Sequence, residues 1–269
     1  MNRRSLLLGA AAFAAPLAVP AAARAATPMI DDVKARGVLR SGLSTFVPWA
    51  MRDKQGNLIG YELDVARRLA TDLGVKHEAV PTAWDGIIPA LLAGSFDAII
   101  GGMTVTPARQ ESVDFTEAYS FTGVHMVANK KVAPGLTNVE AFNKPTITLV
   151  ARRGTNAVTV IQQLMPLATT RQFDDDAQAL QELLNGNAAA WVTSTPKPAF
   201  AAVDNPDTLY LPVAKPIMQQ RDAIAIRKGD EKSLAVLNEW IAARKADGFL
   251  QERFTAWFEK RDWLKSVQG

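Results

Sequence analysis

From residue 38 onward the chain alternates short apolar runs with amphipathic segments. Val38–Gly42 reads as a strand. Glu62–Leu73 carries Val65, Ala66, Leu69, Ala70 and Leu73 on one face of a 3.6-residue period, and Gly74 follows as a stop. His77–Pro81 reads as a strand, Asp85–Ala93 as a helix ended by Gly94, and Ala98–Ile100 as a buried strand. This β-α-β-α-β order predicts a parallel sheet with helices on its faces. The pattern restarts with a strand at Ile147–Val150, a helix at Thr155–Leu164, a strand at Arg171–Phe173, a helix at Asp176–Leu184 and a strand at Ala189–Val192. A second unit of the same kind predicts a second lobe. Leu209–Leu211 and Ala223–Arg227 read as further strands, and Glu231–Ala246 and Phe249–Lys260 as helices. Trp240, Phe249, Phe254, Trp257, Phe258 and Trp263 gather near the end at helical spacing, which reads as core packing.

Val124–Ala128 reads as an extended segment crossing between the units. If the tail from Ala223 packs back on the first unit, the chain crosses twice. Two crossings make a hinge with a cleft between the lobes, and in open α/β sheets ligands bind at strand C-termini facing such a cleft. The expected division is residues 26–123 and 221–269 for lobe 1 and residues 124–220 for lobe 2.

The first 25 residues have a different character. Arg3 and Arg4 precede the apolar run Leu6–Val19, and Ala23-Arg24-Ala25 fits a small-x-small cleavage site. These are the three regions of a secretory signal. Asn2-Arg3-Arg4-Ser5-Leu6-Leu7 also resembles a twin-arginine signal, so the Sec and Tat routes both stand. Composition changes meaning once this segment is set aside. The whole chain of 269 residues has 30 Lys and Arg against 27 Asp and Glu, a net +3, with a pI near 9.2. Cleavage removes three Arg and no acid, which leaves 27 of each sign. The basic balance belongs to the signal, and a nucleic-acid partner is not expected. The absence of cysteine excludes a disulfide framework, a thiolate metal site, a cysteine nucleophile and a lipid anchor on an N-terminal Cys. The expectation is a freely diffusing periplasmic monomer without cofactor or metal.

The sharpest chemical signal is Gly101-Gly102-Met103-Thr104-Val105-Thr106-Pro107-Ala108-Arg109. Thr106 suits an N-cap, and Pro107 suits the first helical position. Arg109 then falls in the first turn, where a cation opposes the helix dipole and calls for a structural reason. Free backbone N–H groups, the Thr104 hydroxyl and the guanidinium together would make an anion site. A surface Arg109 paired with Glu111 or Asp114 reads equally well. Arg152-Arg153-Gly154-Thr155-Asn156 is a second strand–turn–helix junction with cationic and hydroxyl donors, which by itself reads more simply as a solvated loop. Phe46, Trp49 and Trp84 follow strands and could stack on a ligand or pack in the core. Asp174-Asp175-Asp176 reads as a helix cap. His77 and His125 have no zinc spacing, and no G-x-S-x-G or P-loop occurs.

Several stretches in order resemble one family. They are Phe46-Val47-Pro48-Trp49, then Gly56 to Ala66, then Trp84-Asp85-Gly86-Ile87-Ile88-Pro89-Ala90-Leu91, then Thr104 to Arg109 followed by Val113-Asp114-Phe115-Thr116. The chain is similar in these to the bacterial family 3 extracellular solute-binding proteins, the polar amino-acid-binding group of ABC importers. The resemblance implies an α/β fold of the type II periplasmic binding protein kind. This is a two-lobed Venus flytrap in which each lobe has a mostly parallel sheet flanked by helices, with two hinge crossings. It implies an amino acid or related small carboxylate as ligand and an inner-membrane ABC permease as partner. It also implies that Arg109, Thr104 and the Gly102 backbone hold a carboxylate, that Phe46 and Trp84 sandwich the ligand, and that Arg152 and Thr155 complete the pocket from lobe 2. The family places an Asp, to hold the ligand's ammonium, where this chain has Ser194, and a further acidic position falls on Leu43. Either Asp85 substitutes or the ligand lacks that ammonium. Periplasmic cyclohexadienyl dehydratases are similar to this family, so an enzyme is the rival expectation, and a ligand sensor presenting to a receptor is a third.

Overall fold

The computed structural model describes residues 27–267, so the expected signal over residues 1–25 lies outside the described residues. The chain begins with α1 (Met29–Arg36) and β1 (Val38–Leu43), followed by a small hairpin of β2 (Met51–Arg52) and β3 (Leu58–Ile59). Next come α2 (Tyr61–Asp72), β4 (Lys76–Pro81), a 3-10 turn at Trp84–Gly86, α3 (Ile87–Leu92) and β5 (Ala98–Thr104). The short α4 (Pro107–Gln110) and β6 (Val113–Phe115) lead into the long β7 (Ser120–Asn129). The second unit comprises β8 (Thr148–Arg152), α5 (Asn156–Leu164), β9 (Thr169–Phe173), α6 (Asp176–Leu184), β10 (Ala190–Ser194) and α7 (Lys197–Asp204). β11 (Leu209–Tyr210) and the long β12 (Met218–Arg227) follow. The chain then closes with α8 (Glu231–Ala246), α9 (Phe249–Phe254), a π-helical turn at Thr255–Glu259 and α10 (Leu264–Val267).

Hydrogen bonding runs in the order β4-β1-β5-β12-β7-β10-β8-β9, with β6 beside β12 and β11 beside β7. β4, β1 and β5 are parallel, as are β10, β8 and β9. The two lobes meet on β7 and β12, which pair antiparallel over Ser120–Val124 and Met218–Asp222. Beyond that overlap β12 continues along β5 and β6, and β7 continues along β10 and β11. Each long strand therefore belongs to one lobe at one end and to the crossing at the other. These are the two hinge crossings.

In each lobe the sheet is covered on both faces, and alternation along the strands sorts its residues. In lobe 1, Ala98 and Ile100 of β5 and Ile224 and Ile226 of β12 pack with α1, α2, α8 and α9. Ile99, Met103 and Ala225 point the other way, against Ile87 and Leu91 of α3. In lobe 2, Leu149, Ala151, Ala190 and Val192 pack with α5, whereas Val150 and Trp191 pack with Ala179 and Leu183 of α6. Trp240 and Phe258 are buried in the lobe 1 core and Phe249, Phe254 and Trp257 pack against it, as their spacing predicted.

The structure departs from the sequence reading in several places. β5 runs on through Gly101–Thr104, because Met103 and Thr104 pair with Ala223 and Asp222 of β12 although the stretch forms no apolar run. The helix expected from Asp85 is a 3-10 turn first, and becomes α-helical only at Ile87. The last long helix changes to a π turn after Phe254. α1 and α7 are not among the helices expected from the sequence. α7 is entered through Pro196 and Pro198, which suit a helix start and not its interior.

Candidate functional site

The ends of β1, β5, β8 and β10 converge on the cleft, each strand delivering its following loop there. One pocket is lined by Phe46, Trp84, Gly101, Gly102, Thr104, Arg109, Arg152, Thr155, Asn156, Ser194 and Gln220. It thus gathers Phe46, Trp84, Gly102, Thr104, Arg109, Arg152, Thr155 and Ser194, the residues singled out from the sequence, and joins to them Gly101, Asn156 and Gln220. The lobes are closed upon it, and its volume is only about 20 Å³.

Local structure explains how Arg109 reaches this pocket. Thr106 caps α4 by accepting the Arg109 N–H at 3.3 Å, with Pro107 at the first helical position. The side chain turns back so that Nη1 donates to the Thr104 carbonyl at 2.7 Å, and Nη2 crosses the cleft to the Gly154 carbonyl at 3.2 Å. Burial draws its guanidinium down to about 10, with the Asp222 charge opposing, so it stays cationic at neutral pH. The surface alternative fails. Asp114 instead accepts the Gly229 N–H at 2.8 Å, and Glu111 is exposed.

The two neighbouring arginines part company. Arg152, at the end of β8, is buried and donates to the Asp174 carbonyl at 3.1 Å, the Thr45 carbonyl at 3.0 Å and the Ser44 hydroxyl at 2.5 Å. The last two acceptors belong to lobe 1, so Arg152 bridges the lobes. Arg153 points outward to Asp174. Burial lowers the Arg152 guanidinium, and Asp176, Asp175, Asp85 and Asp174 oppose the shift. Thr155 Oγ1 donates to the Arg152 carbonyl at 2.7 Å, which fixes the turn into α5.

Behind the pocket lies a buried polar layer. Thr104 Oγ1 donates to Asp222 Oδ1 at 3.0 Å, and Thr122 Oγ1 donates to Asp222 Oδ2 at 2.8 Å. Ser194 Oγ donates to Gln220 Oε1 at 3.2 Å. Burial raises the Asp222 carboxyl to about 6, against the hydroxyl bonds and Arg109, which lower it. Glu62, wholly buried, accepts the Tyr119 hydroxyl at 2.6 Å, and burial raises its carboxyl to about 8. The Gly102 N–H points back at the Tyr119 hydroxyl at 3.4 Å, away from the pocket. Gly102 is required where it stands: its φ is +68°, and an added Cβ would lie 2.4 Å from the Trp49 ring.

Other sequence candidates fall elsewhere. Trp49 is buried beneath Gly102 and does not line the pocket. Leu43 is wholly buried in a small apolar cluster with Ala50 and Leu63. Asp85 is exposed, and its backbone faces Gly154 across the cleft. Asp175 caps α6 as expected, whereas Asp176 pairs at 2.7 Å with Lys197, which sequence reasoning passed over. His77 meets Ser41 at 2.7 Å, and His125 hydrogen-bonds the Met126 backbone. Among the described residues no three His, Cys, Asp or Glu groups are placed to share a metal ion. Gln220 was missed because β12 begins five residues before the apolar run of Ala223–Arg227. Its alternation with Asp222 on one strand face was the available signal.

A second and larger cavity, about 690 Å³, lies beyond Phe46. It runs between the loop after β1 and helices α6 and α7, and Arg261, Trp263, Leu264 and Val267 of the C-terminal segment line it too. Its floor carries Lys197, whose ammonium stands 3.7 Å from the Phe46 ring centre. The converging strand ends and the inward guanidiniums belong to the smaller pocket, which is therefore the candidate site.

Comparison with known proteins agrees with this architecture. The sequence profile of the bacterial extracellular solute-binding proteins, family 3, matches residues 39–260. The L-cystine-binding protein TcyJ of Escherichia coli is 28% identical over 260 residues, 95% of each chain. The cyclohexadienyl dehydratase of Pseudomonas aeruginosa is 23% identical over 86% of this chain and 87% of its own. The crystal structure of an ancestral amino-acid-binding protein, a precursor of cyclohexadienyl dehydratase, superposes with a TM-score of 0.78 at 36% identity. That match covers 86% of this chain and all of the ancestral one.

Proposed function

The chain belongs to the bacterial extracellular solute-binding proteins of family 3, and on that footing we propose that it is the periplasmic substrate-binding component of an ABC importer. It takes an amino acid or related small carboxylate between its lobes, residues 26–123 with 221–269 and residues 124–220, and delivers it to an inner-membrane permease. The observation that carries this reading is the convergence of Arg109, Arg152, Phe46 and Trp84 on one pocket between the lobes.

Function follows from closure. About 20 Å³ is room for about one water, which needs roughly 10–15 Å³ on the same measure, and far too little for an amino acid, so the ligand enters with the lobes apart. Arg109 then exchanges its backbone acceptors for the ligand carboxylate, a charge-assisted and potentially bidentate pair. The flanking rings of Phe46 and Trp84 add stacking. Arg152, Thr155 and Ser194 join from lobe 2 only on closure, so the ligand binds the closed form better and shifts the population toward it. Micromolar affinity needs about 8 kcal/mol in total, which one desolvated Arg–carboxylate pair with stacking largely supplies. General acid–base chemistry wants an ionisable acid within reach of substrate, and no such acid lines this pocket. That supports binding over the dehydration its dehydratase relative performs.

The test is a thermal-shift screen of amino acids and small carboxylates on the parent and on Arg109→Ala. The variant is expected to lose ligand-induced stabilisation. Full stabilisation of the variant removes Arg109 from the site.

A further inference from the structure

The pocket's charge inventory says more about the ligand than its shape does. Two guanidiniums line it, Arg109 and Arg152, and no carboxylate does. All of their side-chain hydrogen bonds go to neutral oxygens: Thr104 and Gly154 carbonyls for Arg109, and Asp174 and Thr45 carbonyls and the Ser44 hydroxyl for Arg152. Asp222 is 1% exposed and lies behind Thr104, whose hydroxyl separates it from the pocket. Asp85 stands exposed on the rim, outside the lining.

An ammonium group bound here would need charge compensation, and the side chains that could supply it are already engaged. The hydroxyls of Thr104 and Ser194 donate inward, to Asp222 and Gln220, and present only neutral lone pairs to the pocket. The aromatic rings that could receive a cation already have protein cations beside them. Arg109 lies 5.8 Å from the Trp84 ring centre, Arg152 lies 5.8 Å from that of Phe46, and Lys197 lies 3.7 Å from the same ring. A zwitterion would place its ammonium beside two guanidiniums in a water-excluded cleft, where like charges repel and desolvation goes unrepaid. An oxygen acceptor at that end of the ligand meets Arg152, Asn156 and Gln220 as donors.

We infer that the ligand is an ammonium-free carboxylate with a second oxygen-acceptor group, a dicarboxylate or oxo acid. One end sits on Arg109 and the other faces Arg152 and Gln220. This rests on the solute-binding reading above and narrows its ligand class.

The experiment compares matched pairs on the purified chain by calorimetry: succinate against aspartate, and glutarate and 2-oxoglutarate against glutamate. The ammonium-free member of a pair is expected to bind at least tenfold more tightly. Ser194→Asp, with Gln220→Glu as a second variant should the first fold poorly, introduces the missing carboxylate and is expected to shrink that preference at least tenfold. Amino acids binding as tightly as their ammonium-free partners to the parent chain overturn the inference and leave the solute-binding reading standing. If no member of any pair binds, the inference falls, and the wider thermal-shift screen decides the solute-binding reading separately.

Discussion

Glu62 offers the most quantitative test of the structure. It sits in α2 with no solvent exposure, accepts one hydrogen bond from Tyr119, and leaves Oε1 without a partner. Burial raises its carboxyl from 4.5 to about 8, with the Asp222 charge adding and the Tyr119 hydroxyl opposing. A carboxyl whose folded value is raised holds its proton more tightly when folded. Its contribution is therefore intact below pH 4.5 and is lost as pH rises toward 8. At about 1.4 kcal/mol per pH unit, the full loss is about 5 kcal/mol. Glu62→Gln keeps the shape and an acceptor for Tyr119 but cannot ionise. The variant should match the parent to within about 1 kcal/mol at pH 5 and exceed it by several kcal/mol at pH 9, on the same linkage argument. Urea unfolding of both proteins at pH 5, 7 and 9 reads the difference as a shift in midpoint. A parent-to-variant difference that does not change with pH would mean that Glu62 is hydrated or otherwise charge-compensated, and the buried network would be wrongly drawn.

Three further outcomes follow from the same structure. Gly102→Ala places a Cβ against the buried Trp49 ring at a positive φ and should cost about 2–4 kcal/mol of stability by overpacking and backbone strain; an unchanged unfolding midpoint contradicts it. Arg152→Ala removes the charge-assisted bonds to Ser44 and Thr45 that tie the lobes, each worth about 1.5–3 kcal/mol, so the ligand-free protein should expand in solution X-ray scattering and an unaltered radius of gyration argues against the bridge. Arg261→Ala breaks a two-pronged pair with Asp204 at 2.9 and 2.8 Å and a stack on Phe200 at 4.4 Å. The pair is partly exposed, so global stability should fall by only about 1 kcal/mol, while ligand-free scattering moves toward the open form; a purely local effect would leave scattering untouched.

Much of the fold follows from local pattern. The strands β1, β4, β8 and β9 and the helices α2, α5, α6 and α8 lie close to where apolar runs and the stops at Gly74 and Gly186 put them, and α2, α5 and α6 turn their apolar faces to the cores as their period predicts. The ordered motifs from Phe46 to Arg109 marked the pocket, and its walls from Phe46 to Ser194 are brought together by strand ends meeting at the cleft. What the sequence leaves undecided is direction. Arg152 and Arg153 are adjacent and chemically alike, yet the pleat sends one into the cleft and the other to solvent. Trp49 and Phe46 share a loop, and only the packing of Gly102 on the Trp49 ring assigns one to the core and the other to the pocket. The Thr104 hydroxyl suits a ligand contact by sequence position, but it donates its hydrogen bond to Asp222, 118 residues later. Gln220 and the Arg261–Asp204 tie are likewise products of chain crossing and lobe contact. Periodicity is a local property and can be read along the chain, but the partner a polar side chain finds is set by residues far away in sequence, and that pairing is what gives the pocket its chemistry.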